Sequence, residues 1–414
     1  MSDLNSTLVA PLGTIGVADI ETLSTRSASM IARAEVVVIG AGIMGASIAY
    51  HLAIRGCRNV VILEKEAAEV SGSTARSAAG VRHQFSSVTN IQLSRYSIAR
   101  LRSFDEEVGG HAELRQVGYL LLFSDPREWA NYQATTTLQH ELGVRVELLT
   151  PEEAGRFVPR MRIDDLVGAT FGPDDGYVDP YGIAMGYLRA AQAMGVRLRR
   201  ATAATGFKIE GGRISGVASS DGLIACEMVV NAAGSWAGHV GALAGLDIPV
   251  RPYRRNVYMT RPFPAIPGSI PLTIDMSSGF YIRHEGASML MGRSNPDEPS
   301  SFNQQVDWEW LDTVLEAGLW RFPILEQASL AEGQCWAGLY EITPDHNPIL
   351  GRHPDLAGYV DASGFSGHGI MHAPATGLLM AEEILDGRAH TINIDDLRID
   401  RFRRGSAHHE HNII

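Results

Sequence analysis

Short runs of β-branched apolar residues alternate with amphipathic stretches in the first part of the chain. Val36 to Ile39 and Val60 to Leu63 are uninterrupted apolar runs, typical of parallel strands buried on both faces. The residues between them predict a helix from Met44 to Arg55. Val229 to Gly234 again has the pattern of a buried strand that runs into a glycine turn. The pattern therefore predicts a parallel sheet that is interrupted and later resumed.

Beyond Val250 the pattern changes to an alternation of apolar and polar positions. The segments RPYRRNVYMTRP, GFYIRHEG and SMLMGR are typical of antiparallel strands. An amphipathic helix is predicted from Val306 to Leu319, and the segment that begins GFSGHG predicts a glycine turn that starts another helix. We therefore predict an α/β fold in which distant segments build one sheet, with a mainly antiparallel sheet plus helices inserted.

Three glycines directly follow the first predicted strand. Gly40, Gly42 and Gly45 form GxGxxG, which allows a tight turn, a close approach of backbone amides to a pyrophosphate, and close helix–strand packing. An anion would lie at the helix N-terminus, where unpaired N–H groups and the positive dipole end point at it. Glu64 lies 64 − 45 = 19 residues after the last glycine, close to the spacing of a ribose-binding acid. Together these features predict dinucleotide binding; an ordinary glycine-rich turn is the alternative.

Composition narrows the class of protein. The 414 residues are 45% hydrophobic and 20% charged, which is enough for two well-packed domains. A formal net charge of −12 without a basic tract argues against a nucleic-acid surface. No apolar run has the roughly 18 residues that a membrane span needs. The three cysteines are far apart, which favours reduced thiols and a cytoplasmic location. We expect no metal, and leave homo- or hetero-oligomers open.

Several segments together resemble one superfamily of flavoenzymes. GAGIMG with Glu64, the loop GSTARSAAGVRHQF, VVNAAGSWA, YEITPDHNPILG and GFSGHGIMHAPATG occur in this order and span nearly the whole chain after Ala34. The set resembles the D-amino-acid oxidase superfamily, and more narrowly its sarcosine oxidase, glycine oxidase and dimethylglycine dehydrogenase branch. The GVRHQF form looks most like the β-type subunits of heteromeric sarcosine oxidases and of dye-linked proline dehydrogenases.

The resemblance implies a discontinuous Rossmann-like FAD-binding domain of the glutathione-reductase type. The expected division is an N-terminal extension (1–34), an FAD-binding domain (35–115, 165–249 and 335–405), a substrate domain (116–164 and 250–334) and a tail (406–414). We expect the extension to be a disordered leader; an arm that docks on a partner subunit is the alternative. The polar end from Arg401 to Ile414 is expected to be frayed.

The cofactor implied by the resemblance is FAD. The glycine turn would hold its pyrophosphate, Glu64 its ribose, and the backbone at Ala204 and Gly234 its adenine end. The loop Ser73 to Gly80 and the segment Gly367 to Met371 would border the flavin ring and the ribityl chain. The full set of expected cofactor contacts is Gly40, Gly42, Ile43, Met44, Gly45, Glu64, Lys65, Ser71, Ser73, Thr74, Arg76, Ser77, Ala79, Gly80, Ala204, Ala233, Gly234, Trp236, Gly338, Tyr340, Gly367, His368, Gly369, Ile370 and Met371.

We expect the FAD to be bound non-covalently. Monomeric sarcosine oxidases attach flavin to a cysteine at the position of Gly338, and dimethylglycine dehydrogenases carry a flavin-linked histidine at about the position of Arg76. The electron acceptor stays open between O2 and another molecule. Lys65 and Lys208 are the only lysines, and neither is placed like the lysine that promotes the reaction of monomeric sarcosine oxidases with O2.

The reaction implied by the resemblance oxidises a C–N bond next to a carboxylate, with hydride transfer to flavin N5 and hydrolysis of the imine. It needs a neutral amine, a clamp for the carboxylate and a dry flavin face. By resemblance Arg82 is the first expected clamp. Arg283 is the second, because it shares a strand face with Tyr281, and Tyr258 on the preceding strand is expected to add a hydroxyl. The alternative is that these are solvated sheet arginines and core tyrosines.

His368 completes the expected catalytic residues. By resemblance it lies near the flavin, and we expect a neutral histidine that packs and forms hydrogen bonds, since this reaction needs no strong base.

The sequence favours oxidation of a small secondary or tertiary amino acid that carries one or two carboxylates. Candidate substrates are N-substituted glycines such as sarcosine, dimethylglycine or iminodiacetate, and imino acids such as proline. One alternative is a 2-hydroxy-acid oxidoreductase on the same fold, which would need a base with a pKa near 7. Another is the FAD subunit of a heteromeric amine dehydrogenase that needs partners for electron transfer. A protein that only senses nucleotides is the remaining alternative.

Overall fold

The computed structural model describes residues 32–266 and 268–410. The expectation for the N-terminal extension therefore lies almost wholly outside the described residues. The strands are β1 (Ala32–Arg33), β2 (Val36–Ile39), β3 (Val60–Leu63), β4 (Gly80–Val81), β5 (Tyr119–Phe123), β6 (Glu147–Leu149), β7 (Gly168–Gly172), β8 (Gly176–Tyr177), β9 (Arg197–Arg199), β10 (Ala204–Glu210), β11 (Arg213–Ser219), β12 (Gly222–Ala225), β13 (Met228–Asn231), β14 (Arg251–Met259), β15 (Leu272–Asp275), β16 (Phe280–Glu285), β17 (Ser288–Gly292), β18 (Trp336–Ile342), β19 (Ile349–Arg352) and β20 (Tyr359–Ser363).

The helices connect these strands and cover the sheets. They are α1 (Ile43–Ile54), α2 (Val88–Arg102), α3 (Phe104–Val108), α4 (Pro126–Glu141), α5 (Pro151–Phe157), α6 (Pro180–Ala193), α7 (Ala237–Leu243), α8 (Trp310–Arg321), α9 (Gly369–Leu385) and α10 (Arg401–Arg404). Within the part of the chain that the structure describes, no helix is long and apolar enough to cross a bilayer.

A six-stranded sheet carries the glycine turn, and its strand order is β19-β20-β13-β2-β3-β9. All neighbours are parallel except the edge pair β19 and β20. Every residue of β2 and β3 is buried, as the uninterrupted apolar runs predicted. Helix α1 packs closely against α9, where a side chain at Gly377 would lie 2.1 Å from the Ser47 hydroxyl. The expectation of one parallel sheet built from distant segments is confirmed.

An eight-stranded sheet forms the second layer, in the order β18-β14-β17-β16-β15-β5-β7-β6. Its pairs are antiparallel except β15 with β5, which confirms the mainly antiparallel expectation. One face packs with α8 around a core that includes Phe280, Ile282 and Met291. The opposite face carries Tyr119 and Tyr281. The sheet includes β7 and β18, just beyond the expected boundaries at 165 and 335, so the domain division stays a prediction.

Two expected helices differ in extent from the structure. The apolar positions between Asn90 and Val108 predict one helix, but the structure divides this stretch into α2 and α3, which meet at Ser103. The helix expected from Val306 begins only at Trp310, because the Asp307 carboxylate accepts hydrogen bonds from the backbone of Glu309 and Trp310 and holds a turn before the helix.

The expectation of a frayed polar end is wrong for residues 401–410. Arg401 is only 2% exposed and donates to both carboxylate oxygens of Asp345, at 2.7 and 3.0 Å. Glu410 is 1% exposed. A polar composition suggested solvation, but long-range ion pairs and hydrogen bonds bury these charges. Residues 411–414 lie outside the described part of the chain.

Candidate active site

One cavity of about 610 Å³ lies between the glycine turn and the eight-stranded sheet. At its nucleotide end it is lined by Gly40, Gly42, Glu64, Lys65, Ala204, Gly234 and Trp236. At its other end, called the sheet end here, it is lined by Arg76, Ala78, Arg255, Val257, Tyr281, Gly338, Tyr340 and Gly367. The volume lies within the range of roughly 300–1,000 Å³ that is usual for ligand and cofactor sites.

The structure brings most of the expected cofactor contacts to this cavity. Ile43, Met44, Ser71, Ser73, Thr74, Ser77, Ala233, Gly369 and Ile370 line it together with the residues named above. Gly45, Ala79, Gly80, His368 and Met371 do not line it. Met371 points into the apolar core around α9, and a side chain at Gly80 would meet the Tyr119 hydroxyl at 2.1 Å.

The glycines of the turn at the nucleotide end let backbone segments pack more closely than any other residue would allow. Gly40 has φ +107°, and a Cβ there would lie 2.4 Å from the Ala232 carbonyl oxygen. A Cβ at Gly45 would lie 1.9 Å from the Gly40 carbonyl oxygen. Helix α1 begins just after Gly42, so the positive end of its dipole faces the cavity. This arrangement fits the pyrophosphate of a dinucleotide.

Glu64 is held in place at the end of β3. Its two carboxylate oxygens accept hydrogen bonds from the backbone N–H groups of Ala41 and Glu66, both at 2.9 Å. Each oxygen keeps a further lone pair, so the group can still accept from ribose hydroxyls. Across the cavity the Lys65 ammonium lies 4.0 Å from the centre of the Trp236 ring, which stacks on Phe302.

Two glycines shape the sheet end. A Cβ at Gly338 would lie 3.0 Å from the Arg76 carbonyl oxygen. Gly367 has φ +96°, and a Cβ there would lie 2.4 Å from the Tyr340 ring. Ser366, directly before it, also has a positive φ of 50°, a costly conformation for a residue with a side chain. This backbone holds the start of α9 at the cavity, and its N-terminal N–H groups can face a negative group there.

The two arginines expected from the sequence lie beside the sheet end and do not line it. Arg82 is 2% exposed, donates to the Gln84 carbonyl, and lies 4.3 Å from the centre of the Phe85 ring. Its charge opposes the rise in the pKa values of Tyr119 and Tyr340 that burial causes. Arg283 is also 2% exposed and donates to the carbonyls of Ala78 and His284, at 3.0 and 2.7 Å.

Arg255, which the sequence analysis missed, does line the sheet end. One of its NH groups donates to the Arg254 carbonyl at 2.9 Å, while its buried Nε has no hydrogen-bond partner among the described residues. Its guanidinium lies 5.1 Å from the centre of the Tyr340 ring. Burial lowers the pKa of Arg255, but the guanidinium remains protonated, because arginine side chains keep their charge in proteins. No local signal separated Arg255 from its neighbours in RPYRRNV, because the register of β14 decides which one faces the cavity.

Tyr281 lies where the sequence predicted, and Tyr258 does not. Tyr258 pairs with Met291, and Met291 also pairs with Ile282, so these side chains share the face that packs on α8. The Tyr258 hydroxyl donates to the Asp307 carbonyl. The expectation that it faces the substrate is therefore wrong: the strand order places β17 between β14 and β16 and fixes which residues share a face.

Buried tyrosines and histidines at this end are neutral. Burial raises the pKa values of Tyr119, Tyr281 and Tyr340 above their ordinary value near 10. It lowers the pKa of His368 far below 6.5, and that of His372 to about 3, with the Arg82 charge adding to both shifts. His368 packs edge-on to Phe85, with 4.8 Å between ring centroids. The packing of His368 is as expected, but the expected hydrogen bond is not seen at its Nδ1, which is buried without a partner among the described residues. The role of His368 stays a prediction.

Glu341 is a second residue that the sequence analysis missed. It lines the cavity, and its carboxylate accepts from the Gly364 N–H at 2.9 Å. Burial raises the pKa of Glu341 to about 7. It follows Tyr340 in YEITPD, where nothing local indicates that an acid is buried.

The chain matches a family model described as DAO, FAD dependent oxidoreductase, over residues 35–383. It is 34% identical to FAD-dependent oxidoreductase domain-containing protein 1 of Xenopus laevis, over 92% of this chain and 85% of that protein. It is 31% identical to mitochondrial sarcosine dehydrogenase of Homo sapiens, over 86% of this chain and 40% of that protein.

The fold is similar to a solved structure. The crystal structure of L-proline dehydrogenase from P. horikoshii superposes with a TM-score of 0.83, covers 90% of this chain and 99% of that chain, and has 34% sequence identity.

Proposed function

Because the chain belongs to the DAO family of FAD-dependent oxidoreductases, we propose that it oxidises the C–N bond of a small secondary or tertiary amino acid to an imine, which water then hydrolyses. N-substituted glycines such as sarcosine, dimethylglycine and iminodiacetate, and imino acids such as proline, are the substrates of this class. Relatives named for sarcosine, dimethylglycine and proline support the choice.

The residues present fit FAD. The glycine turn packs too closely for a Cβ at Gly40 or Gly45, which leaves the N-terminus of α1 at the cavity, and the Glu64 carboxylate is held at the position expected for a ribose-binding acid. Bound FAD would supply the acceptor for the hydride that leaves the substrate carbon. The flavin end of the cofactor would lie between the loop Ser73–Gly80 and Gly367, against Gly338 and Tyr340. Neither Gly338 nor Arg76 has a side chain suited to a flavin bond, which supports non-covalent binding.

The charge at the sheet end carries the proposal for a carboxylate-bearing substrate. Arg76 and Arg255 line this end. Glu341 also lines the cavity, but its carboxylate lies 3.9 Å from the position of a Cβ at Gly234, towards the nucleotide end. Arg255 has no carboxylate within 4.0 Å among the described residues. A buried guanidinium is stable only with a negative or hydrogen-bonding partner, and a substrate carboxylate would be that partner. Arg82 and Arg283 stay proposed clamps from beside the cavity.

The neutral side chains suit an amine that enters with its lone pair free. Tyr281 and Tyr340 are uncharged phenols, and His368 is a neutral ring that does not line the cavity. A 2-hydroxy acid would need a base that removes a hydroxyl proton. Glu341 lines the cavity with a pKa of about 7, but its carboxylate accepts from the Gly364 N–H and lies 3.9 Å from the position of a Cβ at Gly234, towards the nucleotide end. The geometry therefore favours the amine over the hydroxy acid.

The acceptor for the second half-reaction is O2 or another molecule. Lys65 contacts Trp236 at the nucleotide end, and Lys208 lies in β10 of the four-stranded sheet β1-β12-β11-β10. Neither lysine is at the sheet end, so a lysine does not promote the reaction with O2. A partner subunit that accepts the electrons stays a candidate.

The test is anaerobic mixing of the FAD-loaded protein with sarcosine, dimethylglycine, iminodiacetate, proline and lactate, while the visible flavin absorbance is followed. We expect bleaching by at least one of the amino acids. Trimethylamine is the matched control for dimethylglycine, since it lacks only the carboxylate. Bleaching by lactate alone, or equally by trimethylamine, would refute the proposal. Air is then admitted to determine the electron acceptor. Fast reoxidation of the reduced flavin indicates an oxidase, and slow reoxidation indicates a dehydrogenase.

A further inference from the structure

The loop between β17 and α8 is long and irregular. Residues 293–309 form neither helix nor strand, and irregular loops of this length in a compact domain usually have a function, such as covering a binding site. Residues 298–307 of this loop are called the strap here. Phe302 of the strap contacts the Trp236 ring, and Gln304 lines the cavity. The contacts of the strap therefore indicate what it covers.

One guanidinium holds both ends of the strap. Arg254 in β14 donates to both carboxylate oxygens of Glu298, at 3.0 and 3.3 Å, and to the Asp307 carboxylate at 2.7 Å. Glu298 is only 5% exposed, and charge-assisted hydrogen bonds of this kind are stronger than neutral ones. Between these two points the Ser301 N–H donates to the Pro252 carbonyl at 3.1 Å. The strap is thus fixed to β14 at its first and last residues.

The middle of the strap reaches the nucleotide end through an aromatic contact. The rings of Phe302 and Trp236 are stacked, with 5.0 Å between their centroids and 21° between their planes. Phe302 is 49% exposed, so packing in an apolar core does not account for its position. A stacked aromatic pair is stabilised beyond the burial of its apolar area. Phe302 therefore restrains the Trp236 ring.

Trp236 belongs to the part of the cavity wall that surrounds the expected nucleotide. The same wall contains Glu64 and Lys65, and the Lys65 ammonium lies 4.0 Å from the centre of the Trp236 ring. Gln304, which is partly buried, adds a side chain of the strap to the cavity wall. Phe302 itself does not line the cavity. A wall that is held in place in this way loses less freedom when a ligand binds, which favours tight binding and slow release.

We propose that the strap completes the FAD site and slows the release of the cofactor, with Phe302 holding Trp236 in place and Gln304 closing the wall. Retention of FAD does not depend on which substrate is oxidised. The strap can therefore fail in this role while the protein oxidises an amine, and it can serve this role in a protein that oxidises none of the substrates proposed above.

The test compares variants of the strap with the wild-type holoenzyme. Phe302→Ala removes the stack, and Phe302→Tyr keeps an aromatic ring at the same position. Trp308→Ala is the matched control, because Trp308 is an aromatic residue of similar exposure, 45%, whose ring lies near Tyr258 on the far face of the sheet. The readout is the rate at which bound FAD exchanges with an excess of isotope-labelled FAD, with the melting temperature measured in parallel.

A second variant tests the strap without changing the aromatic pair. Glu298→Gln removes a charge that holds the first residue of the strap to Arg254, and Glu298 does not line the cavity. If the strap acts as a unit, loosening this end should also speed the exchange of FAD.

We expect FAD to exchange about three- to tenfold faster in Phe302→Ala, as the loss of one aromatic stack implies. Glu298→Gln should shift the rate in the same direction, while Phe302→Tyr and Trp308→Ala should stay within about twofold of wild type. An unchanged exchange rate in Phe302→Ala would overturn the proposal, and so would a lower melting temperature with an unchanged rate, since this indicates a purely structural role. Equal acceleration in Trp308→Ala would also contradict it, because the effect would then not be specific to the strap.

Discussion

Arg255 in β14 stands directly opposite Gly338 in β18, and both line the cavity. A Cβ at Gly338 would lie 3.0 Å from the Arg76 carbonyl oxygen, so a side chain there would crowd the loop that carries Arg76. This pairing places Arg255, whose buried Nε has no hydrogen-bond partner in the described part of the chain, next to the proposed flavin position. It gives the sheet end its positive character and makes Arg255 the first residue to test.

Replacement of Arg255 by Gln should weaken substrate binding. Loss of a charge-assisted contact of about 1.5–3 kcal/mol corresponds to a rise in KM of about 10- to 100-fold for the carboxylated substrate. Steady-state kinetics would measure this. Arg251→Gln is the control, because Arg251 lies on the same strand with an exposed side chain. Equal kinetics of Arg255→Gln and wild type would show that the substrate carboxylate lies elsewhere.

Replacement of Gly45 by Ala should abolish FAD binding. A methyl group at this position would lie 1.9 Å from the Gly40 carbonyl oxygen, and this backbone cannot yield without opening the glycine turn. The ratio of flavin to protein absorbance after purification measures the effect. Gly72→Ala serves as the control, since Gly72 lines the same cavity and a Cβ there would meet nothing within 4 Å.

Replacement of Tyr258 by Phe should leave kcat/KM within about twofold of wild type, because its hydroxyl lies on the far face of the sheet. Loss of its hydrogen bond to the Asp307 carbonyl should lower the free energy of unfolding by about 1 kcal/mol. Denaturant unfolding and steady-state kinetics would separate the two effects. Tyr281→Phe, on the cavity face, is the contrasting variant, and we expect its kcat/KM to change.

Replacement of His368 by Gln should lower kcat by less than about tenfold, since a neutral, packed ring is not a general base. The pH profile of kcat/KM should keep the same limbs in the variant. Complete loss of activity in a folded, FAD-loaded His368→Gln protein would instead favour the 2-hydroxy-acid reaction.

Because of Glu341, the free energy of unfolding of the FAD-free protein should decrease as the pH rises from about 4.5 to 7. Its folded pKa of about 7 lies above the ordinary value of 4.5, so the folded state holds a proton in this window that the unfolded state releases. The stabilisation is thus fully present below pH 4.5 and is lost as the pH rises through 7, by up to ~3 kcal/mol. Denaturant unfolding across this window measures the slope, and Glu341→Gln should flatten it relative to wild type.

The nucleotide half of the site could be predicted because its signals are local. Gly40, Gly42, Gly45 and Glu64 lie within one strand–helix–strand unit, and the spacing alone fixes their geometry. The loop Ser73–Gly80 and the glycines near 367 were found by resemblance, and most of them line the cavity. The α/β architecture followed from strand patterning in the same way.

The substrate half could not be predicted to the same degree because it depends on register between distant strands. Tyr281 and Arg283 share a face by alternation within β16, and this inference needed no partner strand. The face of Tyr258 and the access of Arg255 depend on how β14 pairs with β17 and β18, which no local pattern specifies. The burial of Glu410 was not predicted for the same reason: its hydrogen-bond partners Ser86 and Asn90 are more than three hundred residues earlier.

The order of strands in the six-stranded sheet also constrains how the chain folds. Central strand β13 pairs on one side with β2 and on the other with β20, and each neighbour is more than a hundred residues away in sequence. Such pairings require the closure of long loops, and the chain loses conformational entropy before the stabilising contacts form. Folding is therefore expected to be slow compared with that of helical proteins with mainly local contacts. During synthesis, one edge of β2 stays unpaired and the apolar faces of β2 and β3 stay incompletely covered until β13 has been made, and β13 in turn has no partner on its other edge until β20 follows. Chaperone protection of this early segment is therefore an expected part of its biogenesis.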